Sequence, residues 1–278
     1  MRTSLSLAAT VAALVVAAAA CGSQVDDRET ATTTTRTAAR PVATPGAAPA
    51  PTSERPVILA ELFTSQGCSS CPPADRLLSS IGELAGDGAE VIPLAFHVDY
   101  WDDLGWKDPF SAAEWTERQQ RYAARVSRGR VYTPMLVVQG REHMVGSSQG
   151  EVKDALRRAA AGGRAAGATV TGHLDDKGHI AIDAAAGDSA AAVFAAVVES
   201  GIDTEVTRGE NQGRVLRNDF IVRRLERAFE LRPHERKSET VELVFDPGWR
   251  RDRVAVVLFL QDLESLAIRA AARATRGP

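Results

Sequence analysis

The fold of this chain is decided by residues 61–75, ELFTSQGCSSCPPAD, which join a predicted strand to a predicted helix across two cysteines. The apolar run Val57–Phe63 predicts the strand, because a short apolar run bounded by a polar turn is typical of a buried strand. After the cysteines, apolar residues recur at helical spacing as far as Gly86, which is placed to end the helix. The sequence therefore predicts a strand, a Cys-x-x-Cys motif and a helix, in that order.

The position of Cys68 in this stretch favours a reactive sulfur. Pro72 and Pro73 fall in the first helical turn, where proline costs little because those amides have no partner within the helix. We expect Cys68 at or just before the helix N-terminus, where free N–H groups and the positive end of the helix dipole favour the thiolate. Ser69 and Ser70 are candidates to donate hydrogen bonds to it. A Cys-x-x-Cys ring is strained and exchangeable, which predicts exchange with partner protein thiols or disulfides, or with small thiols, without a cofactor.

The composition limits the classes of partner. A formal net charge of −3 over 278 residues gives no electrostatic reason to expect nucleic acid, and no run of basic residues argues otherwise. The length suffices for one large domain or two ordinary ones after a targeting segment is removed.

The N-terminal 55 residues predict export. Residues 1–21 combine a single arginine, an apolar run too short for a comfortable transmembrane helix, and small residues before Cys21. This segment resembles a bacterial lipoprotein signal, in which Cys21 becomes the lipid-modified anchor to a membrane; the alternative is ordinary signal-peptide cleavage nearby and secretion. Residues 22–55 are rich in Thr, Ala and Pro and contain no aromatic residue, which predicts a disordered linker. We therefore expect an exported protein of the cell envelope or periplasm, where disulfides persist.

The remaining sequence predicts two domains. Residues 56–164 predict the element order βαβαββα, with strands at Val91–Val98, Met135–Val138 and His143–Val145 after the first strand and helix. Residues 165–278 contain closely spaced strand-like runs and a hairpin signal at residues 175–178, which predict a mostly antiparallel, sandwich-like β domain. The run Phe220–Leu231 fits either a helix or a strand. Glu210 and Asn211 lie in a glycine-flanked loop and are interpreted as turn residues.

The first of these domains resembles the thioredoxin fold in its element order, its Cys-x-x-Cys and its Thr133-Pro134. The resemblance implies that Cys68 is the exposed nucleophile and Cys71 the buried resolving cysteine. It also implies that Pro134 is held in cis beside the disulfide. Glu61 lies near the place of the buried acid that accepts the proton of the resolving cysteine, although the turn is one residue longer here and the acid is Glu instead of Asp.

A narrower resemblance covers about residues 56–270. Residues 61–75, together with FHVDYW at 96–101, GWKDP at 105–109 and RGENQGRVL at 208–216, resemble the secreted thioredoxin-like bacterial family known as domain of unknown function 1223. That resemblance implies a fold and an exported location, and brings no known substrate. Four residues are further candidates for the edge of the site: His97, Asp99, Trp101 and Trp106. For His97 a hydrogen-bonded core position is the simpler interpretation, and for the two tryptophans it is packing of the loop.

Two alternatives to an oxidoreductase stay open. Cys68 and Cys71 would be soft ligands for Cu(I) or Zn, with His97 or His143 completing the shell, but two cysteines supply only half of a tetrahedral site. The other alternative is a non-catalytic interaction module on a thioredoxin scaffold, with the cysteine pair left as a stable disulfide, because fold does not fix function.

Overall fold

The structure, a computed structural model, describes residues 55–276. The predicted signal segment 1–21 with Cys21, and the predicted linker except for its last residue, lie outside the described residues. No helix in the described range is long and apolar enough to cross a membrane.

Residues 57–161 form strands and helices in the order β-α-β-α-β-β-α, if the two pieces of the first helix are counted together. The elements are β1 (Val57–Thr64), α1 (Pro72–Ser79), α2 (Ile81–Ala85), β2 (Glu90–His97), α3 (Ala113–Val126), β3 (Met135–Val138), β4 (Glu142–Val145) and α4 (Gln149–Ala161). The predicted first helix is broken at Ser80, which leaves the helical conformation with φ −112° and donates its N–H to the carbonyl of Leu77. Ile81 restarts the helix with a buried side chain.

Residues 168–276 form ten further strands among the described residues. They are β5 (Ala168–Leu174), β6 (His179–Ala186), β7 (Ala191–Glu199), β8 (Ile202–Glu205), β9 (Val215–Asn218), β10 (Ile221–Leu231), β11 (Arg236–Glu242), β12 (Val254–Asp262), β13 (Ile268–Arg273) and β14 (Thr275–Arg276). The ambiguous run from Phe220 is thus a strand. The strand pairs within this segment are antiparallel except for the short pair of β14 with β5.

One mixed sheet of eight strands, in the order β13-β12-β7-β10-β2-β1-β3-β4, runs through both segments. The join is made by β10 and β2, which are parallel and meet where the amide of Ala95 donates to the carbonyl of Phe220 at 2.8 Å. The boundary predicted between residues 164 and 165 therefore does not separate two sheets. Residues 55–276 belong to one compact unit.

The layers around this sheet position the cysteine turn. The central strands β1 and β2 are parallel and buried along nearly their whole length, as expected where helices cover both faces. Helices α1, α2 and α4 pack on one face, against Ile58 and Leu62, while Trp115 and Tyr122 of α3 pack on the other. The four-stranded sheet β11-β6-β5-β14 packs against β7 and β12. The turn that follows β1 consequently lies at the edge of the sheet where β1 and β2 both end.

Candidate functional site

The two cysteines of the motif are joined in a disulfide that leads into α1. Cys71 is the N-cap residue of that helix, and Pro72 is its first residue. Cys68 lies one turn earlier, its carbonyl accepting the N–H of Cys71 at 3.2 Å. The pair thus stands at the positive end of the helix dipole, with its Cα atoms 5.4 Å apart.

Hydroxyl groups surround the sulfur of Cys68. Thr133 Oγ1 donates to Cys68 Sγ at 3.3 Å, and the peptide bond between Thr133 and Pro134 is cis. Ser70 Oγ lies 3.3 Å from the same sulfur. Trp101 Nε1 in turn donates to Thr133 Oγ1 at 2.9 Å, which fixes the hydroxyl that faces the sulfur. Two predicted site residues, Thr133 and Ser70, therefore contact Cys68 Sγ, and a third, Trp101, holds the hydroxyl of Thr133.

The prediction that Cys68 is exposed is wrong for this conformation. Cys68 and Cys71 both have an exposed fraction of 0%. Ser69 and Ser70 are exposed, so the turn itself reaches the surface while its sulfurs do not. Trp101 packs on the turn so closely that a Cβ added to Gly67 would lie 3.1 Å from the Cβ of Trp101. Local sequence fixed the position of the cysteine pair along the chain, but the covering residues come from elsewhere.

The loop between β8 and β9, residues 206–214 (the 206–214 loop), reaches the cysteine turn from the far end of the sequence. Asn211 Nδ2 donates to two carbonyls of the turn, that of Gln66 at 2.8 Å and that of Cys68 at 3.0 Å. Glu210 Oε2 accepts the N–H of Ser69 at 3.0 Å. The interpretation of Glu210 and Asn211 as turn residues misses these contacts. The only sequence signal for them is that residues 208–216 belong to the family resemblance.

Gln66 connects the cysteine turn to the loop after β2. Its N–H donates to Asp108 Oδ2 at 2.7 Å, and its side-chain amide donates to Thr204 Oγ1 at 3.0 Å. Its Oε1 accepts from Trp106 Nε1 at 3.1 Å. Trp106 thus packs its loop against the turn. Asp99 makes its hydrogen bonds away from the disulfide. It exchanges hydrogen bonds with Thr116 of α3 and so holds the start of this loop against that helix.

His97 forms a buried pair with Asp108 beneath the turn. His97 Nδ1 lies 2.7 Å from Asp108 Oδ2, and Asp108 also accepts the N–H groups of Gln66 and Phe110. Burial acts to lower the pKa of His97, but the nearby Asp108 outweighs it and the pKa is raised. Burial acts to raise the pKa of Asp108, but His97 and the backbone donors outweigh it and the pKa is lowered. Both groups therefore favour their charged forms.

Glu61 is held by partners other than a cysteine. Arg118 donates to Glu61 Oε2 from Nε at 2.7 Å and from Nη2 at 2.6 Å, and Tyr122 Oη donates to Oε1 at 2.6 Å. All three side chains are buried. The carboxylate is thus occupied on both oxygens by strong donors, and this geometry does not support the role of proton acceptor that the resemblance implies for Glu61. Arg118, which sequence reasoning missed, neutralises it.

Asp75 is the acidic side chain one helical turn after Cys71. Its N–H donates to the carbonyl of Cys71 at 3.1 Å, and its Oδ1 accepts from Thr64 Oγ1 at 2.7 Å, so the carboxyl turns inward beneath the cysteine turn. Loss of solvation raises the pKa of Asp75 from 3.8 to about 6, against the lowering effects of His97 and Thr64. Asp75 belongs to the stretch 61–75, but it was not predicted as a site residue.

The cysteines and histidines proposed as metal ligands do not form a metal site in the part of the chain that is described. No group of three or more His, Cys, Asp or Glu side chains among residues 55–276 is arranged to hold a metal ion. His97 pairs with Asp108, and His143 Nδ1 lies 2.8 Å from the hydroxyl of Tyr132. For the Cu(I) or Zn alternative, residues 55–276 therefore offer no third ligand beside the two cysteines in this conformation.

Solved structures of two other proteins are similar to this chain. Protein AGR_C_4864 from Agrobacterium tumefaciens, a crystal structure, is 26% identical with a TM-score of 0.65, and the match covers 81% of this chain and 96% of that one. HBP35 of Porphyromonas gingivalis is similar in fold, with 12% identity, a TM-score of 0.56 and coverage of 80% and 75%. Among curated proteins, a sequence comparison finds no match. The model of the family described as "Protein of unknown function (DUF1223)" matches residues 59–261, and this chain belongs to that family.

Proposed function

We propose that this protein is an exported thiol–disulfide oxidoreductase with a thioredoxin-like arrangement of residues 56–164. The observation that carries the proposal is the surroundings of the Cys68–Cys71 disulfide. It precedes α1 directly, and the Thr133 hydroxyl, next to the cis peptide bond of Pro134, donates to Cys68 Sγ at 3.3 Å. A donor aimed at this sulfur stabilises negative charge on it, which is what a leaving or attacking thiolate requires.

The proposed reaction is a two-electron exchange with a partner dithiol. One partner thiolate attacks Cys68 Sγ, the Cys68–Cys71 bond breaks, and the electron pair leaves on Cys71 Sγ, which takes up a proton. The second partner thiol loses its proton and attacks its own sulfur in the mixed disulfide, so that Cys68 leaves as a thiolate. The partner is then oxidised to a disulfide and the cysteine pair is reduced; the same steps in reverse reduce a partner disulfide.

In this reaction we assign the proton of Cys71 to Asp75 instead of Glu61. Residues four apart on a helix lie on the same face, which places Asp75 below Cys71, and Cys71 is the N-cap of that helix. With its pKa raised to about 6 by burial, the carboxyl is mostly ionised at neutral pH and only weakly acidic once protonated. Both properties suit a group that accepts a proton from a thiol and returns it.

Trapping of partners tests the proposal. In Cys71→Ala the mixed disulfide at Cys68 is not resolved, so we expect covalent adducts of the protein in its native compartment that a reductant releases. The matched control is Cys68→Ala, which retains Cys71 but lacks the attacked sulfur and should trap nothing. If the two variants give equal yields of adduct, or if neither gives any, the proposed oxidoreductase function is contradicted.

The complete burial of both cysteines favours a second candidate, a non-catalytic interaction module with a permanent disulfide. The two candidates differ in how the intact protein responds to a mild reductant. An oxidoreductase should lose the disulfide to dithiothreitol quickly and then react with iodoacetamide much faster at Cys68 than at Cys71. A permanent disulfide should resist reduction until the protein unfolds, and both cysteines should then be alkylated at similar rates.

We also propose that the protein is tethered to a membrane through a lipid on Cys21, on the basis of the signal-like residues 1–21. Lipidation should direct the protein to the detergent phase in a partitioning experiment. Cys21→Ser should move it to the aqueous phase without affecting the Cys68–Cys71 pair. If the unaltered chain is recovered in the aqueous phase, lipidation is contradicted and ordinary signal-peptide cleavage with secretion is supported.

A further inference from the structure

We infer that the 206–214 loop is part of the reactive site, with Asn211 and Glu210 as positioning residues that keep the cysteine turn closed while the disulfide is intact and that oppose a thiolate on Cys68. This inference rests on the proposed disulfide exchange. It assigns a task to a segment that sequence analysis interpreted as an ordinary turn.

Asn211 ties the loop to the cysteine turn. Its exposed fraction is 0%, and its amide group is fully used: Nδ2 donates to the carbonyls of Gln66 and Cys68, and Oδ1 accepts from Arg214 Nη1 at 3.0 Å. If Asn211 is removed, the carbonyl of Gln66 loses its side-chain donor and that of Cys68 keeps only the N–H of Cys71; a buried polar group without a partner is costly. Asn211 therefore contributes directly to the closed position of the cysteine turn.

Glu210 places a negative charge beside the same turn. Its carboxylate accepts the N–H of Ser69. Hydrogen bonding from the side chain of Ser69, and then from its N–H, lowers the pKa of Glu210, so the group is ionised at neutral pH. Free N–H groups at the start of a helix are the donors that stabilise a thiolate. The N–H of Ser69, which is next to Cys68 and precedes the N-cap Cys71, is already bound by a carboxylate in the closed conformation. A thiolate on Cys68 then competes with Glu210 for the donor and is repelled by its charge.

The 206–214 loop is closed at its base and held by few contacts beyond it. Its base is closed by paired backbone bonds, Val206 N–H to the carbonyl of Arg214 at 2.9 Å and Gly213 N–H to the carbonyl of Val206 at 2.8 Å. Its other support is the close approach of Gly209 to Gly105, where an added Cβ on Gly105 would lie 3.5 Å from the Cα of Gly209. Beyond its base, the loop is thus held against the site by backbone contact and by the bonds of Asn211 and Glu210.

These contacts couple access to redox state. With the disulfide intact, the Cys68 sulfur is neutral, Glu210 keeps its donor and the sulfurs stay covered. Once the pair is reduced, the thiolate weakens the contact of Glu210 with Ser69, and the loop opens. A partner that is to be oxidised must displace the loop, whereas the reduced site is already open to an oxidant.

Two rates measured on the full folded chain test this inference. The first is reduction of the disulfide by dithiothreitol, for which Asn211→Ala should increase the rate by roughly tenfold, since the turn loses two hydrogen bonds that hold it closed. The second is alkylation of Cys68 by iodoacetamide as a function of pH, in a Cys71→Ala background. Glu210→Gln keeps an acceptor but removes the charge, so the midpoint of this profile should move to lower pH.

Gln212→Ala is the matched control. Gln212 is exposed in the same loop, and its side chain makes no hydrogen bond among the described residues, so both measurements should equal those of the unaltered chain. If Asn211→Ala and Glu210→Gln behave like Gln212→Ala, the loop has no positioning role. Because Asn211 is buried, a changed rate in its variant alone does not distinguish a positioning role from misfolding. Glu210 is exposed, and the pH profile of its variant is not moved by a loss of stability. If partner trapping fails while both rates change in the variants, the proposed function is wrong but the positioning role of the 206–214 loop is supported.

Discussion

Asp75→Asn should make the protein more stable at neutral pH, and the gain should vanish in acid. The carboxyl of Asp75 has a pKa of about 6 in the folded protein against 3.8 in its ordinary state, chiefly because burial disfavours the ionised form. A carboxyl with a raised pKa favours folding only when protonated. Below about pH 4 the carboxyl is protonated in both the folded and the unfolded protein, so it does not change the free energy of unfolding. From there to about pH 6 its ionisation lowers the free energy of unfolding by an increasing amount, and above about pH 6 the loss is constant.

The size of the effect follows from this difference. A difference of about two pKa units corresponds to about 3 kcal/mol. Asp75 is only partly buried, so solvent screening reduces this to about 2 kcal/mol. Asparagine keeps an oxygen that accepts from Thr64 Oγ1, so the substitution removes the charge while preserving the contact.

The assay is urea unfolding of the oxidised protein at several values from about pH 4 to about pH 8. The quantity of interest is the free energy of unfolding of Asp75→Asn minus that of the unaltered chain. This difference should rise by about 2 kcal/mol between acid and neutral pH. Asp87→Asn, which removes an exposed charge that makes no side-chain hydrogen bond among the described residues, is the control and should give a nearly flat difference. A flat difference for Asp75→Asn as well would refute the buried, ionisable carboxyl and its assigned role as proton acceptor.

Three other predictions concern the surroundings of the site. Arg118→Met strands the buried carboxylate with which it pairs and should destabilise the protein by about 3–5 kcal/mol in urea unfolding; a loss below about 1 kcal/mol would contradict the pairing. Gly146→Ala would bring a Cβ to 2.6 Å from a leucine methyl group and should cost about 1–3 kcal/mol, whereas Gly150→Ala, in open space on a helix, should stabilise by about 0.5–1 kcal/mol; both are read from thermal unfolding, and similar effects would be inconsistent with the packing. The ring of His97 should titrate above its ordinary value by NMR and return towards it in Asp108→Asn; no change would mean that the pair does not form.

The sign of the pH dependence of that buried pair is also fixed. His97, with its raised pKa, stabilises the fold in acid and loses this contribution as the pH rises through its folded-state value. Asp108, with its lowered pKa, stabilises the fold above its ordinary value and loses this contribution as the pH falls through its folded-state value. The pair therefore contributes most between the two, where both groups are charged.

The elements near the motif were predictable because their signals are local. Apolar runs, paired prolines at a helix start and a glycine at its end are all contained within residues 57–86. Family membership followed from quoted stretches of sequence, and the family comparison confirms it. The predicted boundary after residue 164 failed because nothing in the local sequence shows that β10 pairs with β2, which is a contact between strands far apart in the chain.

Some residues of the candidate site were predictable from the sequence, and others were not. The presence of Cys68 and Cys71 before a helix, with Thr133 and Pro134 as neighbours, was contained in the sequence and its resemblance. The partner of Glu61 was not, because Arg118 lies 57 positions away and no spacing rule links a strand residue to a residue on a later helix.

The sequence by itself determined a strand, a cysteine pair and a helix in order, and the family of the chain. Only the tertiary structure decided that both sulfurs are covered, and that a side chain 143 positions away binds the carbonyl of Cys68. The physical reason is that secondary structure follows from contacts between residues a few positions apart. Exposure and the charge state of a buried group depend instead on which distant segments fold over it, and this is settled by the packing of the whole sheet.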